Sequence, residues 1–139
     1  MATTVKDIMT SNPIVFPASA TIAEAAQGMR EFDIGDVLVE ADGAVCGIVT
    51  DRDIVVRAVA DSCAPDAVTV GEICSEVLVT LAPSDSVDKA TQLMRNHALR
   101  RVPVIEDGAA VGIVTLGDLA IERDSGSALA AISASPPND

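Results

Sequence analysis

Two seven-residue segments hold the most suggestive chemistry in the chain: Gly47-Ile48-Val49-Thr50-Asp51-Arg52-Asp53 and Gly112-Ile113-Val114-Thr115-Leu116-Gly117-Asp118. In each, an apolar run with strand character ends on a threonine, and an aspartate follows three residues later where a helix can begin. A hydroxyl at that point can cap the helix, and a carboxylate in its first turn gains about 0.3–1 kcal/mol from the helix dipole. Asp51 is a further N-cap candidate, worth about 1 kcal/mol. Gly47 and Gly112 fit a bulge or a close backbone approach better than a phosphate cradle. The densest positive charge, Arg100-Arg101, stands just ahead of the β-like run Val102 to Ile105. Cations there complement the C-terminus of a preceding helix or pair with local carboxylates.

Side chains for covalent or acid–base catalysis are scarce. The sole histidine, His97, lies on a helix that ends near Arg100, and no serine or cysteine is placed by sequence to form a relay with it. Cys46, Cys63 and Cys74 form no CxxC pair, and with one histidine they make no zinc pattern. Cys46 falls inside a β-like run and reads as a small buried hydrophobe. The carboxylates are scattered as on a solvated surface. These residues predict no enzyme and no metal site.

The elements that must position these groups are written twice. The chain aligns with itself at a constant offset of 65, without a gap from Val5 to Val56. Ile8 matches Ile73, Met29 matches Met94, and Asp42-Gly43-Ala44 matches Asp107-Gly108-Ala109. Each copy opens with a short strand, Ile14-Val15-Phe16 or Leu78-Val79-Thr80-Leu81. A helix follows. In copy one it is capped by Thr21 with Glu24 as a capping box, and Ile22, Ala25, Ala26, Met29 and Phe32 form its buried stripe. In copy two the cap is Ser86 and the stripe is Val87, Ala90, Met94 and Ala98. Two further strands flank an Asp-Gly hairpin signal, and a second helix carries Ile54, Val55, Ala58 and Val59, or runs from about Asp118 to Arg123.

The expected fold is therefore α/β (α+β), two β-α-β-β-α repeats packed with pseudo-two-fold symmetry. Residues 5–60 form the first domain, 61–69 a linker, 70–123 the second domain and 124–139 a flexible, fraying tail. A repeat of about 60 residues buries only about 60% of its unfolded surface and is uncomfortable alone.

Composition sets the outer limits. Hydrophobic residues make up 49% of the 139 residues, with two Phe and no Trp or Tyr, so the core rests on Ala, Val, Ile and Leu. A net charge of -12 repels a phosphate backbone, which argues against nucleic acid as a partner. A single nucleotide remains compatible where arginines cluster, because screening limits distant charges to about 8 Å. No apolar run reaches the roughly 18 residues of a membrane span, no signal peptide opens the chain, and the odd cysteine count suits a reducing compartment. A cytoplasmic protein without membrane contact is expected.

The repeat, its element order and the segments GIVTDRD and GIVTLGD resemble a tandem pair of CBS domains (the cystathionine β-synthase type, or Bateman module), from about residue 5 to residue 123. Within that family the chain resembles stand-alone two-CBS proteins of actinobacteria, including the hypoxic-response type. The resemblance implies a non-catalytic regulatory module that binds AMP, ADP, ATP or S-adenosylmethionine in a cleft between the repeats, with no obligatory cofactor. It assigns Asp53 and Asp118 to the ribose hydroxyls, Thr50 and Thr115 to ribose or phosphate, and the strand residues Val37, Val39, Val102 and Val104 to the base. Arg100 and Arg101 would meet phosphates bidentately. Gly35-Asp36 stands in copy one where Arg100-Arg101 stands in copy two, which predicts at most one competent site or a weak pair, with Arg52 supplying charge to the other. A homodimer is implied, joined through apolar helix faces at Ile54, Val55, Val59 and Leu119, with an unknown effector protein as partner. The alternative is a ligand-free dimeric interaction module that keeps the fold without sensing.

Overall fold

A computed structural model of the chain describes residues 3–77 and 79–123. The tail 124–139 and Leu78 lie outside the described residues. The chain forms two compact units, one of residues 14–77 and the other of residues 3–13 together with the second repeat from 79 to 123.

The first unit carries a four-stranded sheet. Strand β2 (Val15–Pro17) runs parallel to β3 (Asp36–Ala41), which pairs antiparallel with β4 (Ala44–Thr50), and β5 (Ser75–Glu76) closes the far edge. Helix α2 (Ile22–Phe32) packs on this sheet through Ile22, Ala25 and Met29, which join Val37, Val39 and Val49 in one core. Thr21 caps α2 as expected, accepting from the Glu24 backbone N–H at 3.1 Å, but the Glu24 carboxylate accepts from the Thr21 hydroxyl at 3.3 Å and the expected capping box is not completed. Ala26 and Phe32 were expected on the buried face, but both are exposed, Phe32 to 53%. Phe32 is the last residue of α2, and Asp33 after it turns left-handed with φ 55°.

The second unit repeats the plan with three strands, β1 (Thr10–Ser11), β7 (Ala109–Thr115) and β6 (Arg101–Glu106) in that order. Helix α5 (Val87–Asn96), capped by Ser86, buries Val87, Ala90 and Met94 against Val102, Val104 and Val114. The expected fourth stripe position, Ala98, lies past the helix in a left-handed conformation with φ 52° and is exposed.

Both hairpins follow the Asp-Gly signal. Asp42-Gly43 and Asp107-Gly108 have positive φ at both positions, the backbone of a type I′ turn. A bulge interrupts each ladder at the same place, between Val39 and Glu40 and between Val104 and Ile105.

Of the strand expected over Leu78 to Leu81, the described residues 79–81 form an isolated bridge between Leu81 and Val104. The cause is Pro103. Its counterpart Leu38 donates its backbone N–H to the Ile14 carbonyl at 2.9 Å, holding β2 in place. Proline has no N–H, so the matching bond cannot form, and β6 is confined to the sheet edge where proline is tolerated.

The opening segment of each repeat is built into the other repeat's sheet. Helix α1 (Val5–Ile8) and β1 precede the first repeat's own strands, yet β1 pairs with β7. Helix α4 (Val70–Ile73) and β5 open the second repeat, yet β5 pairs with β4. Val5 and Val70 are equivalent, and each is fully buried in the unit it joins. The stretch read as a linker, 61–69, is part of this docking: Pro65 and Val68 carbonyls accept from Ala23 and Ile22.

Candidate functional site

The candidate residues gather where each hairpin feeds its second helix. In the first unit β4 ends at Thr50 and helix α3 (Asp51–Ile54) begins. The Thr50 hydroxyl accepts from the Asp53 N–H at 3.1 Å, and the Asp53 carboxylate accepts from the Thr50 N–H at 3.0 Å. This reciprocal pair is a capping box. Thr50 is therefore the N-cap, and Asp51, also considered for that position, is the first helical residue, its carboxylate accepting from the Arg52 N–H at 2.8 Å. Arg52 is exposed on the same turn.

The second unit reproduces the geometry. Helix α6 (Leu116–Arg123) follows β7 directly. Thr115 N–H donates to Asp118 Oδ2 at 2.9 Å, and Asp118 N–H donates to the Thr115 hydroxyl at 3.1 Å. Thr115 and Asp118 thus face each other across the first turn, both half-buried.

The ladder brings a third group to each turn. Arg101 is the register partner of Thr115, so the two side chains share a face of the sheet. Arg100 is exposed, and its carbonyl accepts from the Leu116 N–H at 2.9 Å. In the first unit the same place across from Thr50 belongs to Asp36, and the Gly35 carbonyl accepts from Asp51. One turn therefore combines hydroxyl, carboxylate and guanidinium; the other combines hydroxyl, the three carboxylates of Asp36, Asp51 and Asp53, and Arg52.

Val37, Val39, Val102 and Val104 are fully buried, their side chains belonging to the two cores. Leu38 N–H meets the Ile14 carbonyl, and the Pro103 carbonyl accepts from Leu81. Peptide groups alternate along a strand, so those of the four valines point toward the hairpin partner. The outward-facing peptides are those of Leu38 and Pro103.

Arg57 escaped the sequence reading. It lies on a π-helical turn (Val55–Val59) that continues α3. Its Nη1 donates to the Ile73 carbonyl at 3.1 Å, and its Nε lies 3.8 Å from Asp53 Oδ1. Both Asp53 oxygens thus have partners within the unit. The i,i+4 spacing of Asp53 and Arg57 was the available signal.

Three expectations need correction. Cys46 is exposed because the bulge in β4 breaks the alternation that would have turned it inward. Cys63 and Cys74 are partly covered, and burial, followed by the neighbouring Cys46, raises the pKa of Cys74. Leu119, expected on an exposed helix face, is buried in the second core, and Ile54 packs against the first. The exposed apolar side chains on these helices are Val55, Val56 and Val59 in one unit and Leu116 and Ile121 in the other. His97 is the exposed C-cap residue of α5. Among the described residues no group of His, Cys, Asp and Glu is arranged to hold a metal, and no helix is long and apolar enough to cross a membrane.

Comparison with known proteins gives a consistent result. The CBS domain model matches residues 5–59 and 70–124. The CBS domain-containing protein YhcV of Bacillus subtilis is 41% identical over 134 residues, spanning 93% of this chain and 94% of that protein. Hypoxic response protein 1 of Mycobacterium tuberculosis is 37% identical over 119 residues, covering 85% and 83%. Among solved structures, Hypoxic Response Protein I with two coordinated zinc ions superposes with a TM-score of 0.74 at 37% identity, covering 85% of this chain and 97% of that one. A hexameric CBS-CP12 protein from bloom-forming cyanobacteria reaches 0.78 at 31% identity, covering 89% and 74%.

Proposed function

Because this chain belongs to the CBS-domain family, with both of its repeats matched, we propose that it is a non-catalytic regulatory module that binds an adenine nucleotide or a related adenosyl compound at a strand-to-helix turn. The observation that carries this reading is the second unit's constellation: Thr115 and Asp118 face each other over one helical turn, and Arg101 stands across the ladder from Thr115. A carboxylate accepts from two vicinal ribose hydroxyls, and an arginine fork matches a phosphate.

The first unit is the weaker site. Asp36 occupies the position of Arg101, and Arg57 already engages the Asp53 carboxylate. A phosphate placed there meets Asp36 and must rely on Arg52. One competent site per chain follows, with Asp118, Thr115, Arg101 and Arg100 as its contacts. The exposed valines of the π-helical turn supply a surface for a homodimer, and the CBS-CP12 relative is itself hexameric. A cytoplasmic location and an effector protein acting on the bound state complete the reading.

A thermal-shift screen with AMP, ADP, ATP and S-adenosylmethionine tests it. A ligand at about 100 times its dissociation constant adds about 2.7 kcal/mol to stability. Arg101→Gln is the informative variant, because Asp118→Ala also removes a capping box and lowers the baseline. The shift should shrink strongly in Arg101→Gln and persist in Arg52→Gln. An equal shift in both variants, or none in the wild type, would remove the assignment.

The ligand-free interaction module has one observation in its favour: in both turns the threonine and aspartate already satisfy each other. The same screen separates the readings, since that module gives no shift with any of the four compounds.

A further inference from the structure

The backbones of the two units part company where Arg57 stands. At the offset of 65, helix α6 matches residues 51–58, and it is α-helical throughout. In the first unit the α-helix stops at Ile54, and the turn from Val55 to Val59 is π-helical. Such turns are rare and concentrate at functional sites. Arg57 is the middle residue of this one, and the second repeat has Glu122 in its place.

The guanidinium holds two groups at once. Its Nη1 donates to the Ile73 carbonyl at 3.1 Å, and its Nε lies 3.8 Å from Asp53 Oδ1, while Asp53 Oδ2 accepts from the Thr50 N–H at 3.0 Å. Asp53 is the carboxylate that would meet ribose hydroxyls in the first unit. Ile73 ends α4, and Cys74 leads from it directly into β5. One side chain therefore links the capping turn of the first repeat to the segment that the second repeat lends to this sheet. The hold on Asp53 is a displaceable one. Arg57 keeps 48% of its side chain in solvent against 15% for Asp53, and an i,i+4 ion pair with one partner half in water is weak.

We propose that Arg57 is an autoinhibitory contact that couples the first unit's turn to α4 and β5. It occupies Asp53, ribose hydroxyls compete with it for that carboxylate, and its displacement loosens the end of α4. The first unit then acts as a switch, open to ligand only when the docked segment is released. The device is confined to this unit, because a glutamate at 122 cannot pair with the aspartate one turn before it. The competition rests on the adenosyl reading for the chemistry of the competitor, whereas the grip of Arg57 on α4 does not.

The test is NMR of the full ¹⁵N-labelled chain as wild type, Arg57→Met and Arg57→Lys. Methionine keeps an apolar stem and removes the charge; lysine keeps the charge and loses the planar fork. Without ligand, the amides of Cys74 and Val77, which donate to the Val70 and Cys46 carbonyls, report on the docked segment. Their hydrogen exchange should quicken about fivefold or more in Arg57→Met, the effect of losing one hydrogen bond, while that of Met9 in the second unit stays unchanged. Adenosine is then titrated, because it brings no phosphate against Asp36. Its affinity read at the Thr50 and Asp53 amides should tighten about threefold or more in Arg57→Met and stay unchanged at Thr115 and Asp118. Arg57→Lys should lie between the other two proteins in both readouts, and it carries the test if Arg57→Met does not fold. Unchanged exchange at Cys74 and Val77 would overturn the link to α4. No shift at Thr50 and Asp53 in the variants, or equal tightening at both turns, would overturn the competition. The adenosyl reading stands or falls separately, on the second unit's turn and the nucleotide screen.

Discussion

At Gly47 a missing side chain is the functional requirement. A Cβ placed there would lie 2.5 Å from Cys74 Sγ and 3.0 Å from the Ser75 carbonyl, and at Gly112 it would lie 2.5 Å from Met9 Sδ and 2.9 Å from the Thr10 carbonyl. Both glycines let an opening segment lie flat against the sheet that it joins. Gly47→Ala should therefore cost about 1–3 kcal/mol, the usual penalty of overpacking. Adding Cys74→Ala should recover part of that loss, because a double-mutant cycle reports the contact between them. Chemical denaturation measures both, and additive losses would contradict the contact. Ala98 presents the opposite opportunity. It occupies the left-handed position after α5 with φ 52°, where copy one has Asp33. A non-glycine residue pays about 1–2 kcal/mol for that conformation, so Ala98→Gly should raise stability by about 1 kcal/mol, read as a shift in the denaturation midpoint. The residue-level reading of the sequence was right about the threonine caps, because a cap depends only on neighbours three residues away. It missed Cys46 and Leu119. A bulge reset the strand alternation at Cys46, and the buried face of α6 is set by what packs over it.

Elements here are short, and their ends carry much of the order. Thr4 with Asp7 and Thr69 with Glu72 form capping boxes on the two four-residue helices, and Asp85 accepts from the Ala82 N–H at 2.8 Å just before α5. The pKa values of Asp7, Glu72 and Asp85 are lowered, in each case chiefly by these backbone hydrogen bonds. The sign follows from linkage: a carboxylate with a lower pKa in the folded state contributes stability above its ordinary value, and that contribution disappears as pH falls through the folded value. Stability from these groups should be level from pH 7 to about 5 and decline below the ordinary values of 3.8 for Asp and 4.5 for Glu. Urea midpoints across that range check this, and removing all three carboxylates (Asp7→Asn, Glu72→Gln, Asp85→Asn) should flatten the decline. An identical decline in the triple variant would contradict it. The hairpins were legible in the sequence because Asp-Gly states its own backbone angles. The four-residue helices were not, since one turn is too short to show a period. The missing strand over residues 79–81 could be read only through its partner, Pro103, whose lack of an N–H acts across the ladder rather than along the chain.

At the scale of the whole chain, sequence repeat and compact unit differ in their boundaries. The repeats match the family model over residues 5–59 and 70–124, whereas the units exchange their opening segments. A pairing between residues about 100 positions apart, such as Thr10 with Ile113, leaves no local mark and could not be read from composition or periodicity. It has a direct consequence for fragments. Residues 1–65 form a complete repeat in sequence but lack β5 and α4, and they carry Val5 without the core that buries it. Residues 14–77 hold all four strands of the first unit's sheet. Circular dichroism and denaturation of the two fragments should show cooperative unfolding in 14–77 and little in 1–65; comparable behaviour would contradict the exchange.

The central claim, that this CBS-domain chain binds an adenosyl ligand through one turn of its second unit, is tested most directly by isothermal titration of the wild type and Arg101→Gln with AMP, ATP and S-adenosylmethionine. The account predicts saturable binding of at least one of them, at one site per chain, weakened about tenfold or more by the substitution, which corresponds to about 1.4 kcal/mol. No saturable heat with any of them, or equal affinity in the two proteins, would contradict it.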